Sequence, residues 1–462
     1  MRKNDLQPTD DNIRNTFIRD SIGRNKDLLN FIKIIDSIDE SFSIALDSYW
    51  GSGKTFFVKQ VKMILDANNE FTYDSVEEKD KVIEKWNKLL GEDKINTDYH
   101  IPIYYDAWAN DNDNDPILSI VYQIIQTVGN HADIKEQKGL SSVFNLAGDI
   151  FALVKGFNPL ELAKKLKSEN PLEAIIQTKS LKERIDEFIE SLIPEHGERL
   201  LIIIDELDRC NPEFAVKLLE RIKHYFNNDK LTFVFSVNLA ELQHTIKHHY
   251  GADFNASRYL DRFFDLRIQL PQPDMERYLK FHKIYDNYTF DDSLKLVIIK
   301  YNLQLREISK YIQLARTAVS DLAYNPNLRI NNAMTFVIQV IIPITIALMV
   351  TDNKKYNEFI NGNDISVLRE FYSEKETIEN TSYFLSFLYN ENQNTYYSAD
   401  EIMSDMDLFY NKLDTFYNCF FKQFQNAKVG MCSITKIERN NFKKLISLLS
   451  DTAMKNLENK ED

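Results

Sequence analysis

Short apolar runs in the first part of the chain alternate with segments whose apolar residues recur at helical spacing. Five runs predict β-strands: Ser41–Leu46, His100–Tyr105, Leu200–Ile204, Leu231–Val237 and Phe264–Leu270. The run Leu200–Ile204 is wholly apolar, which is typical of a strand that is covered on both faces. Because helical segments separate the strands, we expect an α/β fold with a parallel five-stranded sheet and helices on both of its faces.

Helical patterns flank and interrupt this predicted sheet. We expect N-terminal helices over residues 1–40, a core over 41–272 with a helical insert at about 131–196, a helical region over 273–360, and a C-terminal helical region over 361–462. Breaks in the insert are expected near Gly156, Pro159 and Pro171. No strand is predicted after Pro273, and the many aromatic residues of the last region indicate a folded domain and not a disordered tail.

The segment Ala333–Val350 has no charged residue and is about as long as the shortest bilayer-spanning helix. A membrane helix is expected to have basic clusters and aromatic belts at its ends. The segment is flanked by Leu328–Asn332 and Thr351–Lys355, and it contains Gln339 and Pro343. We therefore predict a buried core helix that is kinked at Pro343, with a transmembrane helix as the alternative.

Composition and charge narrow the classes of function. The chain has 56 Lys and Arg against 70 Asp and Glu, and its formal net charge is −14. Such a chain has no general field that attracts nucleic acid or anionic lipid, although a local basic patch stays open. Its three cysteines, Cys210, Cys419 and Cys432, form no C-x-x-C pair and predict neither a disulfide framework nor a zinc site. The N-terminus has no apolar run of the kind found in secretory signals, so we expect a cytoplasmic protein.

A phosphate-binding loop is predicted between the first strand and the helix that follows it. The run Ser48–Thr55 matches G-x-x-x-x-G-K-[ST], except that Ser48 replaces the first Gly. Gly51 and Gly53 allow the backbone to turn its N–H groups towards phosphates, and the helix that begins near Lys54 adds its positive dipole end. Lys54 is expected to neutralise phosphate oxygens during catalysis, and Thr55 is expected to ligate magnesium. The candidate nucleotide-binding residues are Ser48, Tyr49, Trp50, Gly51, Ser52, Gly53, Lys54 and Thr55.

Two acidic residues follow the apolar third strand. Asp205 ends the run LLIIID, where a carboxylate reaches the magnesium shell of a bound nucleotide. Glu206 comes next and is the candidate general base for the attacking water. The alternative is that both carboxylates only cap the following helix. The sequence therefore predicts Asp205 and Thr55 as metal ligands, and Lys54 and Glu206 as catalytic residues.

Three further polar residues are weaker candidates. Asn238 ends the fourth strand, where a polar side chain can sense the γ-phosphate, but Asn238-Leu239-Ala240-Glu241 is also a variant of the helix capping box. Arg258 and Arg262 precede the fifth strand and are candidate arginine fingers that act in a neighbouring subunit. The alternative for both arginines is a solvated helix face.

Several motifs, taken in order, resemble the KAP family of P-loop nucleotidases over roughly residues 15–360. The quoted segments are SIGRNKDLLNFI (21–32), SYWGSGKT (48–55), YYDAWAND (104–111), IIIDELDRC (202–210), FSVN (235–238), RYLDRFFDLRIQLP (258–271) and REISKYIQLART (306–317). The combination of W-G-S-G-K-T with D-x-L-D-R-C is the most specific part. Two departures stand out: Glu206 occupies a position where the family often has Asp, and the insert is too short and polar for the paired membrane helices of many members.

This resemblance implies ATP as the nucleotide with Mg²⁺ as its ion, a helical lid over 273–360, and a soluble bacterial-type member. It also implies the additional-strand type of sheet, in which another strand separates the Asp205 strand from the phosphate-loop strand. The expected function is ATP hydrolysis that drives a conformational or assembly switch, with phage defence as a setting found among bacterial relatives. The expected partner is a second copy or another protein, and nucleic acid is not expected. The alternatives are a membrane-associated ATP-binding scaffold with little hydrolysis, or an ATPase stimulated by nucleic acid.

Overall fold

The computed structural model divides the chain into two compact units. It describes residues 7–458 except 70–71, 73–75, 94, 96, 98, 114, 130–144, 151–153, 155–170, 285–288, 324–330, 391–395 and 423–424. The first unit, here called the sheet unit, is Gln7–Tyr278, and the second, the helical unit, begins at Leu279. The division lies within one short helix, Met275–Phe281.

A parallel five-stranded sheet forms the centre of the sheet unit. Its strands are β1 (Phe42–Asp47), β2 (His100–Asp106), β3 (Arg199–Asp205), β4 (Leu231–Val237) and β5 (Leu266–Gln269). Their order across the sheet is β2-β3-β4-β1-β5. The strand β4 therefore lies between β1, which leads into the phosphate loop, and β3, which ends at Asp205. This order confirms the additional-strand type of P-loop fold.

Helices cover both faces of the sheet. They are α1 (Asp10–Arg19), α2 (Asn25–Asp36), α3 (Lys54–Asn68), α4 (Lys79–Leu90), α5 (Pro116–Gly129), α6 (Pro171–His196), α7 (Pro212–Tyr225), α8 (Leu239–Tyr250) and α9 (Ala256–Leu260). Side chains of α1–α4 share a core with one face of the sheet, and side chains of α5–α9 share a core with the other. The predicted α/β layering is therefore confirmed.

The position of β3 between two helical layers explains why its sequence is apolar at five successive positions. Leu201 and Ile203 belong to the core on the α1–α4 side, whereas Leu200, Ile202 and Ile204 belong to the core on the opposite side. Successive side chains of a strand point to opposite faces, so a strand between two helical layers needs apolar residues at every position. Each of these five side chains is fully buried, and burial of one such side chain contributes about 1.5–3 kcal/mol.

The predicted insert at 131–196 is described only in part. Its last portion is the helix α6, Pro171–His196. The breaks predicted near Gly156 and Pro159 lie outside the described residues. The helix α4 was not predicted; it lies in the polar stretch between β1 and β2 and buries Val82 and Trp86.

The helical unit contains helices and one short hairpin among its described residues. The helices, counted from the one at the division, are α10 (Met275–Phe281), α11 (Thr289–Lys300), α12 (Leu305–Ala323), α13 (Asn332–Phe336), α14 (Ile342–Thr351), α15 (Asn353–Ile360), α16 (Ser366–Phe371), α17 (Lys375–Tyr389), α18 (Ala399–Met403), α19 (Met406–Phe421) and α20 (Lys436–Glu458). The antiparallel strands β6 (Ala427–Val429) and β7 (Cys432–Ile434) correct the expectation that no strand follows Pro273. They are too short for an alternating pattern, and Gly430, at φ +55°, makes the turn between them.

The apolar segment around Pro343 is a core helix of this unit. The span Asn332–Thr351 is long and apolar enough to cross a membrane, but 72% of its most apolar window is buried inside the protein. A π-helical stretch, Val337–Ile341, joins α13 to α14 directly before Pro343. Proline has no N–H for the helical ladder, and its ring clashes with the carbonyl one turn earlier. A wider turn at this place accommodates both effects, as at other π-bulges.

Candidate nucleotide-binding site

The loop between β1 and α3 has a backbone conformation that suits an anion. Gly51 and Gly53 have φ values of +82° and +89°, in the left-handed region that favours glycine. The helix α3 begins at Lys54, and its N-cap residue, Gly53, has no side chain that could cap the helix. The first N–H groups of a helix have no partner within the helix, so they stay available to an anion at this end.

The polar side chains of the phosphate loop include one buried lysine and two buried serines. The Nζ of Lys54 donates to the carbonyl oxygens of Ser48 and Tyr49, at 2.5 and 3.1 Å, and the residue is buried. Burial lowers the pKa of Lys54, while Asp208, Asp205 and Asp47 act in the opposite direction. The buried hydroxyls of Ser48 and Ser52 have no hydrogen-bond partner among the residues that the structure describes. A buried lysine that donates to loop carbonyls, beside two buried hydroxyls that lack a partner in the described part of the chain, fits a site for phosphate oxygens.

The carboxylate of Asp205 is buried at the carboxyl end of β3. Only 1% of the residue is exposed, and its Oδ2 accepts a hydrogen bond from the Tyr104 hydroxyl at 2.9 Å. Burial raises the pKa of Asp205, and the hydroxyls of Ser236, Thr55 and Tyr104 oppose that rise. The structure therefore brings the two predicted metal ligands, Thr55 and Asp205, together. A buried carboxylate beside a hydroxyl is a donor set that suits Mg²⁺.

Glu206 has an unusual backbone conformation. Its φ is +60° and its ψ is +25°, in the left-handed region that L-residues other than Asn and Asp rarely adopt. Its N–H donates to the carbonyl of Ser236 at 3.2 Å and to Oδ1 of Asp205 at 3.0 Å. Its Oε2 lies 2.9 Å from Nη1 of Arg209. Burial raises the pKa of Glu206, and the positive charge of Arg209 opposes this.

The sequence matches the model of a known protein family. The model of the KAP family P-loop domain matches residues 24–330, which is more than half of the sequence. The chain belongs to the KAP family. Membership in this family of P-loop nucleotidases indicates nucleotide binding and hydrolysis, and such nucleotides are usually bound with Mg²⁺. Comparison with curated protein sequences finds no match.

Among solved structures, the chain is similar to the ORC2 protein of Aeropyrum pernix, determined in ADPNP and ADP complexes. The two chains are 9% identical, with a TM-score of 0.35, over 85% of this chain and 94% of the other. At this level of similarity the comparison carries no argument about function.

The three weaker site candidates of this KAP protein lie near the start of α8 and in or just after α9. Asn238 caps α8, because its Oδ1 accepts from the backbone N–H groups of Ala240 and Glu241, at 3.2 and 3.4 Å. Its Oδ1 is therefore occupied. Arg258 lies in α9, Arg262 follows that helix, and both are exposed. In the described part of the chain, neither arginine forms an ion pair with a carboxylate.

Two further residues contact the KAP site and were not predicted as site residues: Arg24, which contacts the phosphate loop, and Tyr104, which contacts Asp205. Arg24 is buried, and it donates to the carbonyls of Ser52 at 2.9 Å and Pro271 at 2.7 Å, which ties the phosphate loop to the end of β5. Burial lowers its pKa to about 10, and Asp27 opposes this. Arg24 lies in the quoted segment SIGRNKDLLNFI, but its contacts could not be predicted because both of its acceptors are distant in sequence. Tyr104 lies in the quoted YYDAWAND motif, which was a usable signal.

Proposed function

We propose that this KAP protein binds ATP with Mg²⁺ and hydrolyses the ATP, with Glu206 as the general base. The observation that carries the proposal is the meeting of three features at one edge of the sheet. These are the glycine-supported loop, the buried Lys54 and the Thr55–Asp205 pair, all within the sheet unit.

The residues of the site have different roles in binding and hydrolysis. The loop N–H groups from Gly51 to Lys54 and the start of α3 bind phosphate oxygens, and Lys54 exchanges the Ser48 and Tyr49 carbonyls for them. Thr55 and Asp205 hold Mg²⁺, which would neutralise charge on the phosphates when bound. Glu206 follows Asp205 directly and accepts a proton from the attacking water.

The output of hydrolysis is a conformational or assembly switch. Two exposed arginines, Arg258 and Arg262, lie on the sheet unit without a carboxylate partner among the described residues. A guanidinium of this kind can complete the ATP site of a second copy, and we propose homo-oligomerisation or a partner protein on this ground. The family resemblance supports a cytoplasmic location and a role in phage defence. Equal phage plating on cells with the wild-type protein and with Lys54→Ala would argue against that role.

The experiment that tests the chemistry is ATP turnover by the purified protein with Mg²⁺, beside Lys54→Ala and Glu206→Gln. Matched controls are Lys26→Ala, an exposed lysine of α2, and Glu213→Gln, an exposed carboxylate of α7. We expect Lys54→Ala to lose ATP binding, and we expect Glu206→Gln to bind ATP while turnover falls by about 100-fold or more. Both controls should match the wild type. Turnover that survives in Glu206→Gln would remove Glu206 from the mechanism, and wild-type protein that binds ATP without turnover would favour the scaffold alternative.

A further inference from the structure

Trp50 links the phosphate loop to the turn that carries Glu206. It lies within the loop, and its Nε1 donates to Oδ2 of Asp208 at 2.5 Å. Asp208 belongs to the single 3₁₀ turn Leu207–Arg209 that directly follows Glu206. The loop and the turn are distant in sequence, so this bond is a tertiary contact between two segments of the site.

Arg209 makes three contacts at the same place. Its guanidinium carbon lies 5.8 Å from the ring centroid of Trp50 and 5.5 Å from that of Trp108, both within cation–π range. Its Nη1 pairs with Oε2 of Glu206 at 2.9 Å. Residues three apart eclipse one another in a 3₁₀ turn, which explains why Arg209 reaches back over Glu206.

An arginine that served only as a surface charge would be expected to stay in contact with water. The Arg209 side chain keeps 24% of its exposure and the Glu206 side chain keeps 20%, so both are mostly withdrawn from water. Trp50 and Trp108 are nevertheless 47% and 52% exposed, although large aromatic side chains usually lie in the core. Two exposed indoles over one guanidinium restrict the directions in which that guanidinium can point.

We infer that Arg209, held by Trp50 and Trp108, is a positioning residue that orients the Glu206 carboxylate for proton transfer. The inference rests on the proposed function. Arg209 acts through Glu206 and does not itself contact the reacting atoms. Trp50 lies in the loop that would hold the phosphates, so the same contacts connect that loop, through Arg209, to the general base. A general base must be placed to within a fraction of an ångström, and a misplacement of about 1 Å costs up to 100-fold in rate.

The kinetic test separates orientation from folding and from binding. We expect Arg209→Ala to lower kcat by about tenfold or more while KM for ATP stays within about twofold. Arg209→Lys should recover part of the loss, because an ammonium group can pair with Glu206 but lacks the planar group that lies over two rings. Trp108→Leu should lower kcat less, and Trp108→Phe should restore it. Tyr122→Leu, which removes another exposed aromatic from α5, is the matched control. Unchanged kcat in Arg209→Ala, or an equal loss in Arg209→Lys and Arg209→Ala, would overturn the inference.

A spectroscopic readout does not depend on turnover. In Trp108→Phe the remaining indoles are Trp86, which is fully buried, and Trp50, so a change in emission reports on Trp50. We expect Arg209→Ala in this background to shift the emission to longer wavelength as Trp50 loses its guanidinium cover, and Arg209→Lys to shift it less. An unchanged spectrum would mean that the contact is absent in solution, and the inference would fail. A wild-type protein without ATP turnover would instead count against the proposed function, so the two failures are distinguishable.

Discussion

The left-handed backbone of Glu206 predicts that glycine stabilises this position relative to alanine. The variants Glu206→Gly and Glu206→Ala both remove the carboxylate and its ion pair with Arg209. They differ only in the Cβ atom, which makes a φ of +60° unfavourable for an L-residue by about 1–2 kcal/mol. Glycine loses about 0.5–1 kcal/mol more backbone entropy on folding than alanine does. The balance favours the Glu206→Gly variant over the Glu206→Ala variant by about 1 kcal/mol.

The same two substitutions at Glu84 should change the free energy of unfolding in the opposite order. Glu84 is an exposed residue in the middle of α4, within the same unit. In a helix interior, glycine is about 1 kcal/mol less favourable than alanine. The free energy of unfolding, measured by urea denaturation, should therefore be higher for Gly than for Ala at position 206 and lower for Gly than for Ala at position 84. The two differences should be separated by about 2 kcal/mol.

A left-handed backbone at Glu206 is contradicted if the difference in stability between Gly and Ala has the same sign at positions 206 and 84. If the Glu206→Ala variant were as stable as the Glu206→Gly variant or more stable, the Glu206 backbone would not be left-handed in solution. The sharp turn after β3 would then have another cause. A confirmed reversal would show that the protein accepts strain at the residue we assign as the general base, as is common at active sites.

Three further predictions concern neighbouring groups. Tyr104→Phe removes the hydroxyl that donates to Asp205, and the Mg²⁺ concentration for half-maximal turnover should rise by about tenfold; an unchanged value would mean that Tyr104 does not support a metal ligand. Burial lowers the pKa of His100 to about 4, so below about pH 6.5 the unfolded chain takes up a proton that the folded chain does not. Urea unfolding should therefore show a loss of about 1 kcal/mol between pH 6.5 and 5.5 that is absent from His100→Phe. Asn238→Asp keeps the cap of α8, whereas Asn238→Ala loses it at a cost of about 1 kcal/mol. Reduced turnover in both variants, with stability lost only in Asn238→Ala, would support a sensor role, and full activity of Asn238→Asp would exclude it.

The parts of the site that follow one strand or one loop were predictable from the sequence. The apolar run of β3 fixed both its two-sided burial and the place of Asp205 at its carboxyl end. The spacing of Gly51 and Gly53 before Lys54 fixed the loop, because few residues other than glycine tolerate those φ values. In these cases the period of the strand or the backbone requirement of one residue decides the structure.

Contacts between distant segments were not predictable in the same way. The bond from Trp50 to Asp208 and the bond from Arg24 to Pro271 join residues whose separation in sequence carries no local pattern. The left-handed conformation of Glu206 was also hidden, because glutamate does not normally mark such a turn. The β6–β7 hairpin was missed because three-residue strands give no measurable alternation.

The charge distribution of the site explains why nucleotide and cation should bind together. Lys54 is the buried cation of the loop, and the charges of Asp47, Asp205 and Asp208 all act on it. The charge of Asp106 acts on both Asp205 and Glu206, and the charges of Asp205 and Asp208 also act on Glu206. A triphosphate that entered alone would bring further negative charge to a place where carboxylates already outnumber cations, and repulsion is strong where water is excluded. A divalent cation held by Thr55 and Asp205 would remove this conflict and would relieve the cost of burying that carboxylate. The acidic surroundings of the loop, which at first sight oppose phosphate binding, are therefore consistent with a site built for the magnesium complex of a nucleotide.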